Sequence, residues 1–262
     1  YHFKPGSSIL SIGANGCNLR CEWCQNWHLS EGRAETQTMA PDQVVALALE
    51  QGSAGIAYTY NEPLIGFEFL MDCAQPAKEA GLTNVLVTNG FINPDPLAEM
   101  LPFVDAMNID LKAIEDYTYK QHCKGRLDPV KRTIEAASKA CHVEVTNLIV
   151  TGVNDMPGQI TALAAFVASV DKAMPLHLSR YHPQFKFTNP ATPEATMRQA
   201  YELASEKLDN VFVGNIALQG TSDTICPPCG HKLIERSGYQ TTVTGIKDGL
   251  CVVCGFRPRI VW

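Results

Sequence analysis

Nowhere in these 262 residues does an apolar run approach the roughly 20 residues that a bilayer-crossing helix needs. Residues 1–16 lack the charged-then-apolar order of a secretory leader. Positive charge is scarce as well: 21 Lys and Arg stand against 27 Asp and Glu, a net charge of −6. An acidic chain lacks the basic surface that non-specific binding to nucleic acid or to an anionic membrane requires. These absences point to a cytoplasmic protein with neither membrane nor nucleic acid as partner. A glycine-rich phosphate turn is also missing after the first strand-like run, which counts against a doubly wound nucleotide-binding sheet.

Cysteine, by contrast, is plentiful, with ten in the chain. In a reducing compartment thiols serve metals rather than disulfides. Three fall in Gly16-Cys17-Asn18-Leu19-Arg20-Cys21-Glu22-Trp23-Cys24, at spacings that no regular helix or strand can point one way. A loop wrapped round a metal can. Three thiolates also leave one coordination position unfilled, which separates a catalytic centre from a closed structural one. We read a [4Fe-4S] cluster held by Cys17, Cys21 and Cys24 with its fourth iron open to a substrate or cofactor; a zinc knuckle, or a disulfide pair with a spare thiol, is the plain alternative.

Four more cysteines form Cys226-Pro-Pro-Cys229-Gly and Cys251-Val-Val-Cys254-Gly, with 21 residues between the pairs. Each knuckle offers two ligands to one tetrahedral site. Zinc in a structural ribbon is expected, with iron in a rubredoxin-like site as the alternative, since both metals accept four thiolates. Residues 242–246 supply β-prone chain between the knuckles. So short a tail is expected to need its metal to fold. Lys232, Arg236, Lys247, Arg257 and Arg259 outnumber Glu235 and Asp248 there, which makes a mildly basic face, either docking or merely solvated. Cys73, Cys123 and Cys141 stand alone and read as packing residues.

Between the two cysteine regions, apolar β-prone runs alternate with helical patterns. Strands are expected at 8–12, 55–59, 84–88, 106–111, 143–150, 176–179 and 211–214. Helices are expected at 41–51, 64–80, 94–101, 129–140, 159–170 and 193–208, the first with proline in its opening turn. Such alternation with short loops predicts an α/β fold, a partial (β/α)6 parallel barrel at 1–221 followed by a small four-cysteine metal ribbon at 222–262. Functional residues of such sheets gather at the carboxyl ends of strands. Tyr60-Asn61-Glu62, Thr88-Asn89-Gly90, Asp110-Leu111-Lys112, Asn154-Asp155 and Arg180-Tyr181-His182 all fall there. Glu62 can also be a helix cap and Asn89-Gly90 a simple turn. Asp110 and Lys112, two residues apart on a strand, face the same way and suggest a polar pocket. His177 reads as a core histidine.

The cysteine spacing with Trp23 before the last cysteine resembles the radical S-adenosylmethionine (SAM) superfamily. The order of the later clusters resembles pyruvate formate-lyase activating enzyme and its relatives. Residues 1–7, 58–63 and 177–183 and the tail are similar to the radical SAM proteins of the AmmeMemoRadiSam group, which usually carry a further amino-terminal segment. The resemblance implies an oxidoreductase-type radical enzyme in which SAM chelates the open iron and yields a 5′-deoxyadenosyl radical. Cys17, Cys21 and Cys24 would ligate the cluster; Trp23, Gln25 and Asn26 would border the adenine. Tyr60, Asn61 and Glu62 would hold the SAM amino group, with Thr88 and Asn89 beside them. Asp110 would meet the ribose or a cation, Lys112 the SAM carboxylate or the substrate, and Val150 and His182 the adenine. A reductant such as flavodoxin or ferredoxin and a possible substrate protein are the implied partners.

Two departures stand out. Val87 occupies the place of an aspartate that belongs to a cation site in the activases, and Thr146-Asn147 the place of a strand-five arginine. The target of the radical is either a glycyl residue of a partner protein or a small molecule. A non-catalytic zinc module that binds a partner is the other class, with no radical chemistry at all.

Overall fold

The computed structural model describes residues 1–32 and 34–262. Seven strands, β1 (Leu10–Ile12), β2 (Gly55–Tyr58), β3 (Thr83–Thr88), β4 (Ala106–Asp110), β5 (His142–Ile149), β6 (Leu176–Arg180) and β7 (Val211–Gly214), follow one another in the sheet in chain order. The registered pairs among them are parallel. Parallel neighbours need a crossover, and helices supply it. These are α1 (Trp27–Ser30), α2 (Pro41–Glu50), α3 (Phe67–Glu79), α4 (Pro94–Met100), α5 (Asp116–Thr118), α6 (Leu127–Ala137), α7 (Pro157–Val170) and α8 (Glu194–Ser205). The expected α/β class with a parallel sheet is therefore present.

Contacts group the chain into two compact units. One comprises residues 7–146 and 183–190, the other residues 1–6, 147–182 and 191–262. In the first, a continuous ladder runs Ser11, Ala57, Val85, Ala106, His142 across five strands. Its helices bury one stripe each. On α3 the buried residues Leu70, Cys73, Ala74 and Ala77 recur at helical spacing, and on α6 they are Val130, Thr133, Ile134 and Ala137. Pro41 sits in the first turn of α2, and the Ala40 N–H donates to Gln43 Oε1 at 2.9 Å.

The boundaries differ from the sequence reading where side chains capture backbone groups. The expected helix at 64–80 divides into a 3₁₀ turn, Pro63–Gly66, and α3, because Glu62 Oε1 accepts the Leu64 N–H at 3.0 Å and stops the chain at a cap. The strand expected at 8–12 shrinks to Leu10–Ile12, with the Leu10 N–H donating to Ser53 Oγ at 2.7 Å. The helix α6 begins two residues early, where Asp116 Oδ1 takes the Leu127 N–H at 2.9 Å. A π-type turn at Tyr119–Cys123 has no counterpart in the expected elements.

In the second unit, β6 and β7 pair and α7 packs on α8. Three further strands, β8 (Thr224–Ile225), β9 (Lys232–Ser237) and β10 (Gln240–Val243), form an antiparallel sheet, and β11 (Ile246–Lys247) pairs with β12 (Leu250–Cys251). The β-prone stretch expected at 242–246 thus lies partly in β10 and partly before β11. Cys226, Leu233, Ile234 and Cys251 make a small buried core, with Ile246 and Ile260 against it. The amino terminus belongs to this unit: Phe3 bridges Val261, and His2 Nε2 lies 3.0 Å from Thr224 Oγ1. No helix among the described residues is long and apolar enough to cross a membrane.

Close strand approach makes one glycine a stability determinant. A Cβ on Gly55 would stand 2.0 Å from the Thr83 carbonyl oxygen of the neighbouring strand. Backbone cannot yield as a flexible side chain does, so Gly55→Ala is expected to cost about 1–3 kcal/mol and to lower the melting temperature by several degrees in a thermal scan.

Candidate functional site

Gly16 opens the cysteine loop with φ +108°, and a Cβ there would lie 2.6 Å from Ile65 Cδ1. Glycine alone meets both demands. The loop then runs against the Tyr119–Cys123 turn. The Arg20 N–H donates to the Cys123 carbonyl at 2.8 Å and the Glu22 N–H to the His122 carbonyl at 3.1 Å. Their side chains repeat the pairing, with Glu22 Oε2 2.8 Å from His122 Nδ1. Leu19 closes on Gly125 so tightly that a Cβ at 125 would meet Leu19 Cδ2 at 2.4 Å. Trp23 is 2% exposed, its ring 5.6 Å from His122 and 5.7 Å from Phe187. Gln25 and Asn26 are exposed beside it.

This loop meets two strand ends. Asn61, just past β2, accepts the Ala14 N–H through Oδ1 at 3.0 Å and donates to the Gly16 carbonyl at 3.1 Å. Asn26 donates to the Tyr60 carbonyl at 2.8 Å, where Tyr60 has φ +71° and is exposed. At the end of β3, Asn89 Nδ2 reaches Asn18 Oδ1 at 2.8 Å and the Cys17 sulfur at 3.6 Å. Glu62 ties the strand ends to each other. Its carboxyl accepts from Thr88 Oγ1 and the Asn89 N–H, each at 2.7 Å, and it is 1% exposed. Burial pushes its pKa up to about 7, against the opposite pull of those donors. The cap reading of Glu62 holds, through its bond to the Leu64 N–H. A pocket of about 580 Å³ has Asn61, Glu62, Tyr58, Ile65 and Phe69 in its wall.

Asp110 and Lys112, expected to share a side, form an ion pair of 2.6 Å at the end of β4. Burial pulls the Lys112 ammonium down, but Asp110 and the neighbouring Cys21 outweigh it and hold the group well above the usual lysine range. The Lys112 N–H donates to Tyr119 Oη at 3.0 Å, which ties β4 to the turn beneath the cysteine loop.

Sequence reasoning missed a polar row on the same face. Val85, Val87, Asn108, Asp110 and Thr146 are half-buried, while Leu86, Met107, Ile109 and Val145 on the other face are buried. The register sets Asn108 beside Glu144 and Asp110 beside Thr146, and Thr146 Oγ1 donates to Asn108 Oδ1 at 2.8 Å. Glu144 and His142 pair at 3.1 Å. The signal was legible as two period-2 polar rows, Asn108-Asp110-Lys112 and His142-Glu144-Thr146. Cys123 is fully buried, as a packing residue would be, and its carbonyl accepts the Arg20 N–H. Cys73 is a buried packing residue and Cys141 a half-buried one. In the other unit, Val150 is fully buried, and His182 is exposed with Nε2 3.4 Å from the Asn215 carbonyl. His177 stacks on Phe212 at 5.4 Å, as a core histidine would.

The two cysteine sets differ in geometry. In the tail, all four sulfurs lie within 4.8 Å of one another, with Cys226 to Cys254 at 3.5 Å and Cys229 to Cys251 at 3.7 Å. Sulfurs bound at about 2.3 Å to one tetrahedral ion stand at about this separation. The knuckles match each other: Gly230 donates to the Cys226 carbonyl and Gly255 to that of Cys251, both at 2.9 Å, with φ of +72° and +73°. Backbone N–H groups of Cys254 and Val253 bring the Cys251 thiol down to about 7, whereas burial pushes that of Cys226 up to about 12, so metal binding there has to release protons. Cys17, Cys21 and Cys24 form no such group among the described residues. The sulfurs of the cysteine loop also meet donors, the Leu19 N–H at 3.4 Å on Cys17 and Ser30 Oγ at 3.2 Å from Cys24. Burial holds the Cys17 thiol up at about 11, so iron binding there has to release a proton.

A family model described as the Radical SAM superfamily matches residues 11–167. An uncharacterized protein of Methanocaldococcus jannaschii is 40% identical across all of this chain and 80% of its own length. The pyruvate formate-lyase 1-activating enzyme of Escherichia coli (strain K12) is 27% identical over 68% of this chain and 75% of its own. Among solved structures, a domain of pyruvate-formate lyase-activating enzyme from Bacteroides vulgatus matches with a TM-score of 0.54 at 21% identity, covering 62% of this chain and 99% of that one. Streptococcus suis SuiB bound to S-adenosylmethionine matches with a TM-score of 0.61 at 13% identity, over 80% and 51% of the two chains. The last two are likenesses of fold.

Glu62 makes stability pH-dependent in a defined direction. A carboxyl held at about 7 in the fold, against 4.5 for the free group, contributes stability that is complete below about 4.5 and lost as pH rises through about 7. Melting temperatures of wild type and Glu62→Gln, compared from pH 4.5 to 7.5, should diverge across that window, with the wild type falling more steeply.

Proposed function

The chain belongs to the radical SAM superfamily, and on that premise we propose that it is an oxidoreductase related to the glycyl-radical activating enzymes, with the cysteine loop as the seat of its cluster. The observation that carries this reading is the join of the family match over residues 11–167 with a three-cysteine loop pinned to the ends of two parallel strands by Asn61 and Asn89. When bound, a [4Fe-4S] cluster and SAM supply reductive cleavage to a 5′-deoxyadenosyl radical.

The chain's own residues hold and enclose the reactants. Cys17, Cys21 and Cys24 supply the sulfur ligands and leave one iron for SAM. Glu62, with Tyr60 and Asn61, receives the SAM amino group; that cation favours the ionised carboxylate, which the three donors on Glu62 already support. Thr88 and Asn89 keep this carboxyl oriented. Lys112, charged and paired with Asp110, meets the SAM carboxylate or the substrate, and Asp110 the ribose. Gln25 and Asn26 border the adenine while buried Trp23 sets the height of that stretch. The half-buried row Asn108, Thr146 and Val87 faces the substrate. Val87 stands in the place of one carboxylate of the activase cation site, which leaves that place one ligand short. Holding the target hydrogen close and excluding water are what a deoxyadenosyl radical demands of its protein.

The named activity of the Escherichia coli relative supports a glycyl residue of a partner protein as the target, and a small molecule is the second candidate. A cytoplasmic reductant such as flavodoxin or ferredoxin would provide the electron. The tail, 222–262, is a separate ribbon closed by zinc or iron on Cys226, Cys229, Cys251 and Cys254.

Anaerobic reconstitution with iron and sulfide, followed by dithionite and SAM, should release 5′-deoxyadenosine from wild type and none from Cys21→Ala; in air the brown colour and the activity should be lost together. A protein that binds only zinc at the loop and releases no deoxyadenosine would leave the binding-module class standing. For the tail, chelation should bring the amides of Lys232–Ser237 and Gln240–Val243 to unprotected hydrogen exchange while those of Thr83–Thr88 stay protected. A tail that keeps its protection after complete metal removal would contradict a metal-dependent ribbon.

A further inference from the structure

Residues 183–190 follow β6 in the chain, yet they group with residues 7–146. They carry a two-residue hairpin turn in which Gln184 and Phe187 exchange both backbone hydrogen bonds at 3.2 Å. Of the two central residues, only Phe185 has a positive φ, +56°. That is the glycine position of a tight hairpin, and a bulky aromatic there strains the backbone. Three contacts hold the hairpin on the stretch after Cys21. Phe187 meets buried Trp23 edge-on at 5.7 Å, the Lys186 N–H donates to the Glu22 carbonyl at 3.1 Å, and Phe185 lies flat on Trp27 at 5.3 Å and 10°. Lys186 Nζ stands 4.4 Å over the Phe185 ring and 3.4 Å from Glu31.

We infer that Phe185 and Phe187 are positioning residues that clasp the cysteine loop through its two tryptophans. This rests on the cluster reading proposed above. Helix α1 has four residues, too few to hold its shape alone. It nevertheless touches the loop at both ends: the Gly16 N–H donates to the Leu29 carbonyl at 2.9 Å, and Ser30 Oγ lies 3.2 Å from Cys24 Sγ. The stack of Phe185 on Trp27 supplies packing that α1 lacks. A side chain that strains its own backbone is thus explained by what it touches. Phe187, whose ring is also 6.0 Å from His122, holds the residue before Cys24 against the Tyr119–Cys123 turn. Cys24, Gln25 and Asn26 therefore lie between two clasped rings.

The test compares full-length wild type, Phe185→Gly, Phe185→Tyr and Phe187→Ala. Amide hydrogen exchange is read before and after anaerobic reconstitution, so that one readout needs no cluster. Phe185→Gly removes the strain and the stack together. Its Leu29, Ser30 and Glu31 amides should exchange about two- to tenfold faster, the worth of one aromatic pair, while those of Gln184 and Phe187 exchange no faster and Thr83–Thr88 stay protected. Phe185→Tyr, which keeps the ring, should match wild type. Loaded protein, first assayed for iron and sulfide, should release iron to a chelator faster by a similar factor in Phe185→Gly and Phe187→Ala. A hairpin that served only itself would relax with glycine and leave α1 and the iron alone. Unchanged α1 exchange in Phe185→Gly, or equal iron release from wild type and both variants, would overturn the inference. Wild type that takes up no iron and sulfide while α1 exchange still responds to Phe185→Gly would instead overturn the cluster reading.

Discussion

The pairing of the cysteine loop with the turn Tyr119–Cys123 is the contact on which the candidate site depends. Two backbone hydrogen bonds, the Glu22–His122 pair and the Leu19–Gly125 contact hold an otherwise irregular segment in one place. Irregular chain has few internal bonds to define it, so its shape must come from what it leans on. Through Tyr119, the same turn grips the end of β4, where Asp110 and Lys112 sit. Loop, turn and ion pair thus form one connected assembly, and a shift in any of them would be felt at the sulfurs.

A second layer of control lies in the amide and carboxyl groups just past β2 and β3. Asn61 and Asn89 reach the cysteine loop from two strands, and Glu62 links these strands to each other. Holding Glu62 in so enclosed a place is costly for an ionised group, which is why its pKa rises. A cationic ligand group would offset that cost. The arrangement is therefore better suited to receiving positive charge than to standing alone, in keeping with the proposed reception of an amino group.

The tail follows a different logic. Its own core comprises two cysteines, Leu233 and Ile234 with a little help from Ile246 and Ile260, far less than an independent domain buries. Four sulfurs converging on one point supply what the core lacks. The cysteine loop, by contrast, borrows its order from a sheet whose strands bury residues such as Ile56, Leu86, Ile109 and Val145. One metal region would stabilise its surroundings, and the other is stabilised by them.

Much of this was readable in the chain itself. Alternating apolar periods dictated the parallel α/β sheet, strand ends marked the polar clusters, and cysteine spacing distinguished an open loop from a pair of matched knuckles; each is a relation among residues close in sequence, where period and spacing carry the information. Element edges moved wherever a side chain such as Ser53, Glu62 or Asp116 captured a backbone group, because such captures have no period. His122 carried no signal of its own, and Thr146 only that of a period-2 polar row. Their partners, Glu22 and Asn108, lie 100 and 38 positions away. The chain's local order determined which chemistry was available; only the packed sheet and its turns, by bringing distant residues within hydrogen-bond reach, decided which of those groups meet.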